Sequence, residues 1–425
     1  MIKLIKNGTV ITMDEDRDKK YEKLDIVIKD NKIIDVNSSY KGPYDELIDA
    51  TGKIVMPGLI NAHTHLGMSI FRATNDNLTL NEWLENKIWP IEDNMTDNDM
   101  YYSTLLSCIE MIKTGTTTSN DMYFNWKNEL KAIKKSKVRC LFSRALADMH
   151  GGGDERLKEL KEIIEVTKDN ELVTVSVSPH AFYTCSKDYL IKCKKFADKY
   201  NLPIHMHFCE NEKEVGDIIK DYNMSPAEAL DSLGYLNNKL ILAHSTILSD
   251  KDIKLLKNKD IYLVHNPISN LNLGCGIADI IKYRKNNLNI CLGTDGQGSG
   301  NNLNMFYHLS LVDLLQKGVY KDPTLLSSYE VLKMATINGA KALNIDNLGI
   351  IKKDYLADII ILDLNNIEAY PTVDLINQIV HNTESNNIDT TIINGEVLMR
   401  NHKLTIDIDE DRLKEEINKI KTRLF

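Results

Sequence analysis

The chain is short of the features that would place it among membrane, secreted or nucleic-acid-binding proteins. No apolar run approaches the roughly 18 residues that a membrane span needs. The opening stretch MIKLIKNGTVITMDED has no long apolar region of the signal-peptide kind. A cytoplasmic location without a membrane partner is therefore expected. Positive charge is not in excess: the net charge is −9, which argues against a sequence-independent grip on nucleic acid or anionic lipid. The seven cysteines, at 108, 140, 185, 193, 209, 275 and 291, are odd in number, dispersed and without a C-x-x-C pair. They read as reduced thiols, not as a disulfide framework. Low-complexity tracts and short-period repeats are lacking too.

What is there is an ordinary globular composition, 43% hydrophobic and 27% charged, over 425 residues. That length suffices for a large domain plus an accessory one. Both ends have β character. LIKNGTVITM and LDIVIKDNKIIDV open the chain, and ADIIILDL and TTIINGEVLMRNHKL come near its close, with Asn394-Gly395 as a hairpin signal. Residues 1–56 and 346–425 are expected to form one small β-sandwich domain, completed by the amphipathic helix DEDRLKEEINKIKTRLF on its surface. Between them, in residues 57–345, short apolar runs alternate with amphipathic helical stretches. The runs are IVMPGLINAHTH, TTTSNDMY, VRCLFSRALAD, LVTVSVSPHAF, PIHMHFCE, KLILAHS, DIYLVHNP and LNICLGTD. Helical spacing of apolar residues marks EWLENKIWPIE, SKDYLIKCKKFADKY and KDIKLLKNK between them. Strand–helix units in such a succession predict an α/β fold, a (β/α)8 TIM-type barrel.

Polar residues collect at one end of these runs. His63 and His65 are two apart in a strand, so their imidazoles aim the same way. Asp121, Arg144, His180, His207, His244, His265 and Asp295 also fall at or near the C-terminal ends of their runs. In barrels of this type the chemistry sits on that face. His63, His65, His207 and Asp295 offer three imidazoles and a carboxylate, a set that suits Zn²⁺ or another divalent first-row ion. Such an ion lowers the pKa of a bound water to about 7 and yields a hydroxide nucleophile at neutral pH. Glu210, three residues after His207, is a candidate general acid and base. His244 could orient the nucleophile or stabilise developing negative charge.

The series His-x-His, His207 with Glu210, His244, and Asp295 within GTDG resembles the amidohydrolase superfamily in order and strand placement, over the whole barrel. Within that superfamily WLENKIWPIE, NDMYF, LFSRAL, SPHAFY, HNPISNLNLG and LNMFYHLSLVDLLQK are similar to segments of the 5-methylthioadenosine/S-adenosylhomocysteine deaminases. The resemblance implies that His63, His65, His207 and Asp295 hold one zinc ion per subunit, with Fe²⁺ or Mn²⁺ as alternatives. It implies that Glu92 binds the ribose hydroxyls and that Arg144 and Arg156 meet the amino-acid end of S-adenosylhomocysteine. A guanidinium fork suits a carboxylate. His180 would contact substrate, and Trp83 would give an apolar wall. Glu210 would bind the purine and protonate its ring nitrogen, Asp295 would relay the water's proton to the departing ammonia, and His244 would steady the attacking oxygen. The implied substrates are small-molecule nucleosides. S-adenosylhomocysteine would yield S-inosylhomocysteine, and 5-methylthioadenosine would yield 5-methylthioinosine. A homo-oligomer is compatible with a barrel of this size.

Two patterns are missing. LVTVSVSPHAFY has no lysine of the kind that bridges binuclear relatives, which favours one metal. The H-x-E with P-C-x-x-C pattern of cytidine-type zinc deaminases does not occur. Gln297, Gly298 and Ser245 depart from the family's usual residues and are given no role. His205 is expected as a core histidine one layer below His207, His265 as part of the pocket wall, and His150, His308, His381 and His402 as structural. Other readings are a guanine or pterin deaminase, a triazine hydrolase, or a non-catalytic interaction barrel. Arg144 and Arg156 have a purpose only if the substrate carries a carboxylate.

Overall fold

The first apolar run is divided at Gly58 into two strands that serve different sheets. A side chain at Gly58 would lie 2.2 Å from that of Thr117, so only glycine lets the chain pass this close to the next strand. Before it, Ile54–Pro57 pairs with Ile2–Val10 in parallel and with Ile359–Leu362 antiparallel. After it, Leu59–Thr64 pairs in parallel with Thr116–Tyr123. The sequence pattern showed one continuous run because both strands are fully buried, and burial on both faces erases the alternation that marks a strand's identity. The computed structural model describes residues 1–74 and 78–425.

Beyond Gly58 the parallel strands follow the eight apolar runs in order. Leu59–Thr64, Thr116–Tyr123, Arg139–Leu146 and a split fourth run, Val173–Val175 with Ser178–Pro179, make one sheet. Ile204–Phe208, Leu240–His244, Ile261–His265 and Asn289–Leu292 make the other. The two are joined at one seam by a parallel bridge between Val177 and Ile204. At the other seam the Asp295 amide donates to the His63 carbonyl (3.0 Å), and the Asn61 amide exchanges two hydrogen bonds with Thr294 (2.7 and 3.0 Å). The second seam thus holds two of the candidate metal ligands by their own backbones.

Strands from both chain ends form a further sheet, with nine strands among the described residues. It curls until the Asn394-Gly395 turn meets the turn at Asp30-Asn31, where the Gly395 amide donates to Ala357 and the Ala357 amide to Asn31. Its inner face packs isoleucine and valine, among them Ile5, Val10, Ile26, Ile28, Val55, Ile359 and Ile392. All seven cysteines are buried and unpaired. No helix among the described residues is long and apolar enough to cross a membrane.

A buried ion pair ties this sheet to the barrel. Arg139, at the start of the third barrel strand, donates through Nε and Nη2 to the two carboxylate oxygens of Asp358 (2.8 and 2.9 Å), and neither side chain is more than 4% exposed. Asp358 also accepts from the Asn394 amide (2.8 Å). Removing one partner of such a pair leaves the other charged and dry. Asp358→Ala is expected to cost about 3–5 kcal/mol, read as a fall of several degrees in Tm. An unchanged Tm would show that the pair does not hold the sheet to the barrel.

Candidate active site

The four candidate ligands meet. One donor atom from each of His63, His65, His207 and Asp295 lies within 4.8 Å of the other three, and all four residues are buried. Hydrogen bonds fix which ring nitrogens carry protons. Nδ1 of His65 lies 2.7 Å from the Met122 carbonyl, and Nδ1 of His207 lies 2.8 Å from the His180 carbonyl. A carbonyl only accepts, so both Nδ1 atoms are protonated, and in the neutral, metal-binding form of each ring Nε2 presents its lone pair. Those two lone pairs face each other at 3.2 Å. Nε2 of His63 is buried without a hydrogen bond and stands 3.3 Å from Asp295 Oδ1. His65 Nε2 is 3.1 Å from that same oxygen.

Acceptors facing acceptors in a dry site repel unless a cation lies between them. The spacing fits one, since ligand atoms about 2.0–2.1 Å from a tetrahedral metal sit roughly 3.3 Å apart. Burial by itself would push the Asp295 carboxyl up. The imidazoles of His63 and His65 more than offset this and hold it well below its ordinary value. Its orientation is set by Ser269 and Ser299, which donate to Oδ2 (2.7 and 2.9 Å), and by the Gly296 amide on Oδ1 (2.8 Å). Asp295 and His244 both adopt left-handed backbone angles, φ 63° and 70°. This is uncommon for residues with side chains, and it is found where function over-determines the backbone.

Glu210 and His244 stand beside this cluster. Glu210 is 2% exposed, and burial, reinforced by the charges of Asp295 and Glu214, raises its carboxyl well above the ordinary range. That direction favours the protonated form, the one able to donate. Its backbone amide donates to Glu214 (2.8 Å), and the Cys275 thiol lies 3.8 Å from Oε1. His244 Nδ1 is 3.6 Å from Glu210 Oε1 and 3.1 Å from the Asn270 amide nitrogen. Burial lowers the His244 pKa to about 3, so the ring is neutral. Its Nε2 has no hydrogen-bond partner among the described residues.

Above these groups opens a cavity with apolar walls and a few convergent polar groups, the make-up of a small-molecule site. His65, His180, His207, Glu210, His244 and Asp295 form its floor, while Trp83, Trp89, Phe124 and Tyr183 are among its walls. The stretch read as one helix, EWLENKIWPIE, supplies much of this wall in three pieces: Leu80–Trp83, Leu84–Ile88 and Trp89–Glu92. The middle piece is a π-turn in which the Trp89 amide bonds the Leu84 carbonyl. Pro90, without an N–H, follows directly, and the widened turn brings Trp83, Trp89 and Glu92 to the same cavity. Glu92 accepts a hydrogen bond from the Tyr123 hydroxyl, and burial raises its pKa to about 7. Trp83 fits because Gly298 has no side chain: a Cβ there would sit 2.8 Å from the indole. His180 lines the floor, its pKa lowered to about 3 by burial and the neighbouring imidazoles.

Other residues stand elsewhere. Arg144 and Arg156 are not in the cavity lining. Arg144 pairs with Glu159 (2.7 Å), and Arg156 donates to the Ala147 and Gly151 carbonyls. His265 is buried behind the lining and does not form the pocket wall it was expected to form. The strand register, Ala243 against Val264, brings it level with His244, yet only His244 is in the lining, which spacing along a strand does not reveal. His205 is buried as expected, and its Nε2 is 2.9 Å from His63 Nδ1. Sequence reasoning missed Trp89, Tyr123, Glu214, Ser269, Asn270 and Cys275. Of these, Trp89, Tyr123, Ser269 and Asn270 lay inside the quoted segments WLENKIWPIE, NDMYF and HNPISNLNLG, whereas Glu214 and Cys275 carried no signal.

A profile described as the amidohydrolase family matches residues 54–398. The chain belongs to that family. Among curated amidohydrolase relatives, the 5-methylthioadenosine/S-adenosylhomocysteine deaminase of Clostridium tetani is 41% identical, covering 96% of each chain. A 5'-deoxyadenosine deaminase of Methanococcoides burtonii is 40% identical over 94% of this chain and 93% of its own. Among solved structures, an adenosine deaminase from Xanthomonas campestris with bound zinc superposes with a TM-score of 0.95 at 28% identity, covering 99% of this chain and 98% of that one.

In this amidohydrolase the bond from His205 orients a candidate ligand from behind. Loss of such a partner typically costs 10–100-fold in metal affinity. His205→Phe is therefore expected to weaken zinc binding by about that factor in a competition titration with a chromophoric chelator. Affinity unchanged within about twofold would mean that His63 needs no support.

Proposed function

We propose that this chain is a metal-dependent aminohydrolase that deaminates adenine nucleosides altered at the 5′ position, 5-methylthioadenosine and S-adenosylhomocysteine among them. The observation that carries this is the buried carboxyl of Glu210, its pKa pushed up, beside a neutral His244 and the His63, His65, His207 and Asp295 cluster, at the floor of an apolar cavity. The curated relatives reported above are named for adenine nucleosides, at 40 and 41% identity over most of the chain.

A divalent cation held by those four residues, with zinc the best fit to three imidazoles and a carboxylate, supplies Lewis acidity and a water deprotonated at neutral pH. The remaining work would fall to the protein. Glu210 would give its proton to the purine ring nitrogen next to the carbon bearing the amino group, making that carbon electrophilic. Asp295, steered by Ser269 and Ser299, would accept the nucleophile's proton and return it to the departing ammonia. His244 would hold the incoming oxygen through Nε2, the nitrogen left without a protein partner. Glu92, held by Tyr123, would take the ribose hydroxyls, and Trp83 and Phe124 would cover the nucleoside's apolar faces. The seven unpaired thiols suit the reducing cytoplasm.

The test is a panel of adenine nucleosides followed by the ultraviolet change from adenine to hypoxanthine and by ammonia release. Glu210→Gln should keep the metal and lose about 10²–10⁴-fold in kcat. Release from none of the nucleosides, or near-native turnover by Glu210→Gln, would refute the reading.

A further inference from the structure

The cavity is anchored at its floor by charged and polar groups and closed above by carbon. Met68, Leu80, Trp83, Leu84, Trp89 and Phe124 are in its lining, and no lysine or arginine is, among the described residues. Arg144 touches the back of that lining. Its guanidinium carbon lies 5.6 Å from the centre of the Phe124 ring, and Nη1 donates to the Ala145 carbonyl (3.0 Å). Phe124 and Ala145 both line the cavity, so Arg144 stands one residue behind the wall.

That guanidinium is already matched. Nε donates to Glu159 Oε2 at 2.7 Å, with the arginine side chain 10% exposed and the glutamate 39%. Glu159 lies on the helix Gly153–Thr167, which follows the strand carrying Arg144. Arg156, one turn earlier on that helix, spends Nη1 on two backbone carbonyls. A ligand carboxylate arriving at Arg144 must displace Glu159 or share the guanidinium with it, and two anions around one cation repel. An uncharged tail meets no such obstacle and lies against the apolar wall.

We propose that Glu159 sets the 5′ specificity of the site. By occupying Arg144 it favours nucleosides with a short, uncharged 5′ group, such as methylthio or a bare 5′-methyl, over those whose tail ends in an amino-acid carboxylate. The proposal rests on the aminohydrolase reading above and deepens it. Glu159 touches neither the reacting atoms nor the metal ligands, so it is a positioning residue that acts through Arg144.

The experiment compares the metal-loaded native chain with Glu159→Gln on 5-methylthioadenosine and S-adenosylhomocysteine, taking kcat and KM for both from one preparation. The ratio of the two kcat/KM values does not depend on the folded fraction, so a merely structural effect cancels. The native chain should favour 5-methylthioadenosine. In Glu159→Gln the S-adenosylhomocysteine KM should fall and the ratio move towards it by about fivefold, the scale of one partly exposed ion pair. Turnover of 5-methylthioadenosine should stay within about twofold. Adding Arg144→Met to Glu159→Gln should abolish the gain, since the two act as a pair. A native chain that prefers S-adenosylhomocysteine, or a ratio unmoved by Glu159→Gln, would overturn the proposal. Deamination of neither nucleoside by the native chain would instead defeat the aminohydrolase reading, and with it this one.

Discussion

Two imidazole lone pairs facing each other at 3.2 Å in a buried site is the constraint on which the rest of the molecule depends. Left to themselves, His65 and His207 would rotate apart or take up a proton. Rotation is prevented by a carbonyl that holds Nδ1–H, that of Met122 for His65 and that of His180 for His207. The facing nitrogens are thereby fixed by the backbone, poised for a cation between them. Asp295 completes the arrangement from the last strand, across the seam where its own amide bonds His63. Closure of the barrel and assembly of the donor set are the same event.

Around that centre the protein keeps water out, and the dryness sets the protonation states. Burial favours the donor form of Glu210 and leaves His244 and His180 neutral. An exposed glutamate would be ionised and could only accept. Here one carboxyl, Asp295, is held ionised by imidazoles, and another, Glu210, is pushed towards its protonated form by burial and by the charges of Asp295 and Glu214. Neighbouring groups driven to opposite states are what acid–base chemistry at neutral pH requires. Glu92 lies between these extremes at about 7, which suits a residue proposed to bind hydroxyls without reacting.

The donor cluster was legible from sequence because its logic is local. A His-x-His at a strand end, a histidine two residues beyond another, and a carboxylate behind an apolar run are each set by the twofold period of a strand. The barrel was legible for the same reason, from the succession of runs. What spacing did not carry is whatever depends on contacts across the fold. Gly58 gave no sign that one apolar run would split between two sheets, because a residue buried on both faces shows no alternation. Trp83 and Glu92 were identified, but the π-turn that brings Trp89 to the same wall depends on a proline whose effect is felt one turn away. Ser269, although inside the quoted HNPISNLNLG, and Ser299 lie in helical turns whose spacing gives no sign that both steer Asp295. The resemblance placed Arg144 and Arg156 at a substrate's carboxylate, and nothing in their local sequence shows that Glu159 already holds Arg144.

The composite end sheet explains how such a strained centre is kept. The last helix, Glu410–Leu424, returns to pack on Asp97–Lys113 and on the turn Leu66–Phe71 that directly follows His65. Its Ile420 joins one apolar cluster with Met68, Phe71, Trp83, Ile88 and Tyr123, residues that line the cavity or back it. Arg423 pairs with Asp99 and bonds the Asn94 carbonyl, just beyond Glu92. The C-terminal turn of the chain therefore braces the segment that covers the substrate space, a segment cut by a π-turn and too irregular to hold its own shape. Disturbance of the final helix would be felt as a loosened cavity wall before it reached the metal ligands, because those ligands are held by backbone bonds between barrel strands and the wall is held by packing and by side-chain bonds such as those of Arg423.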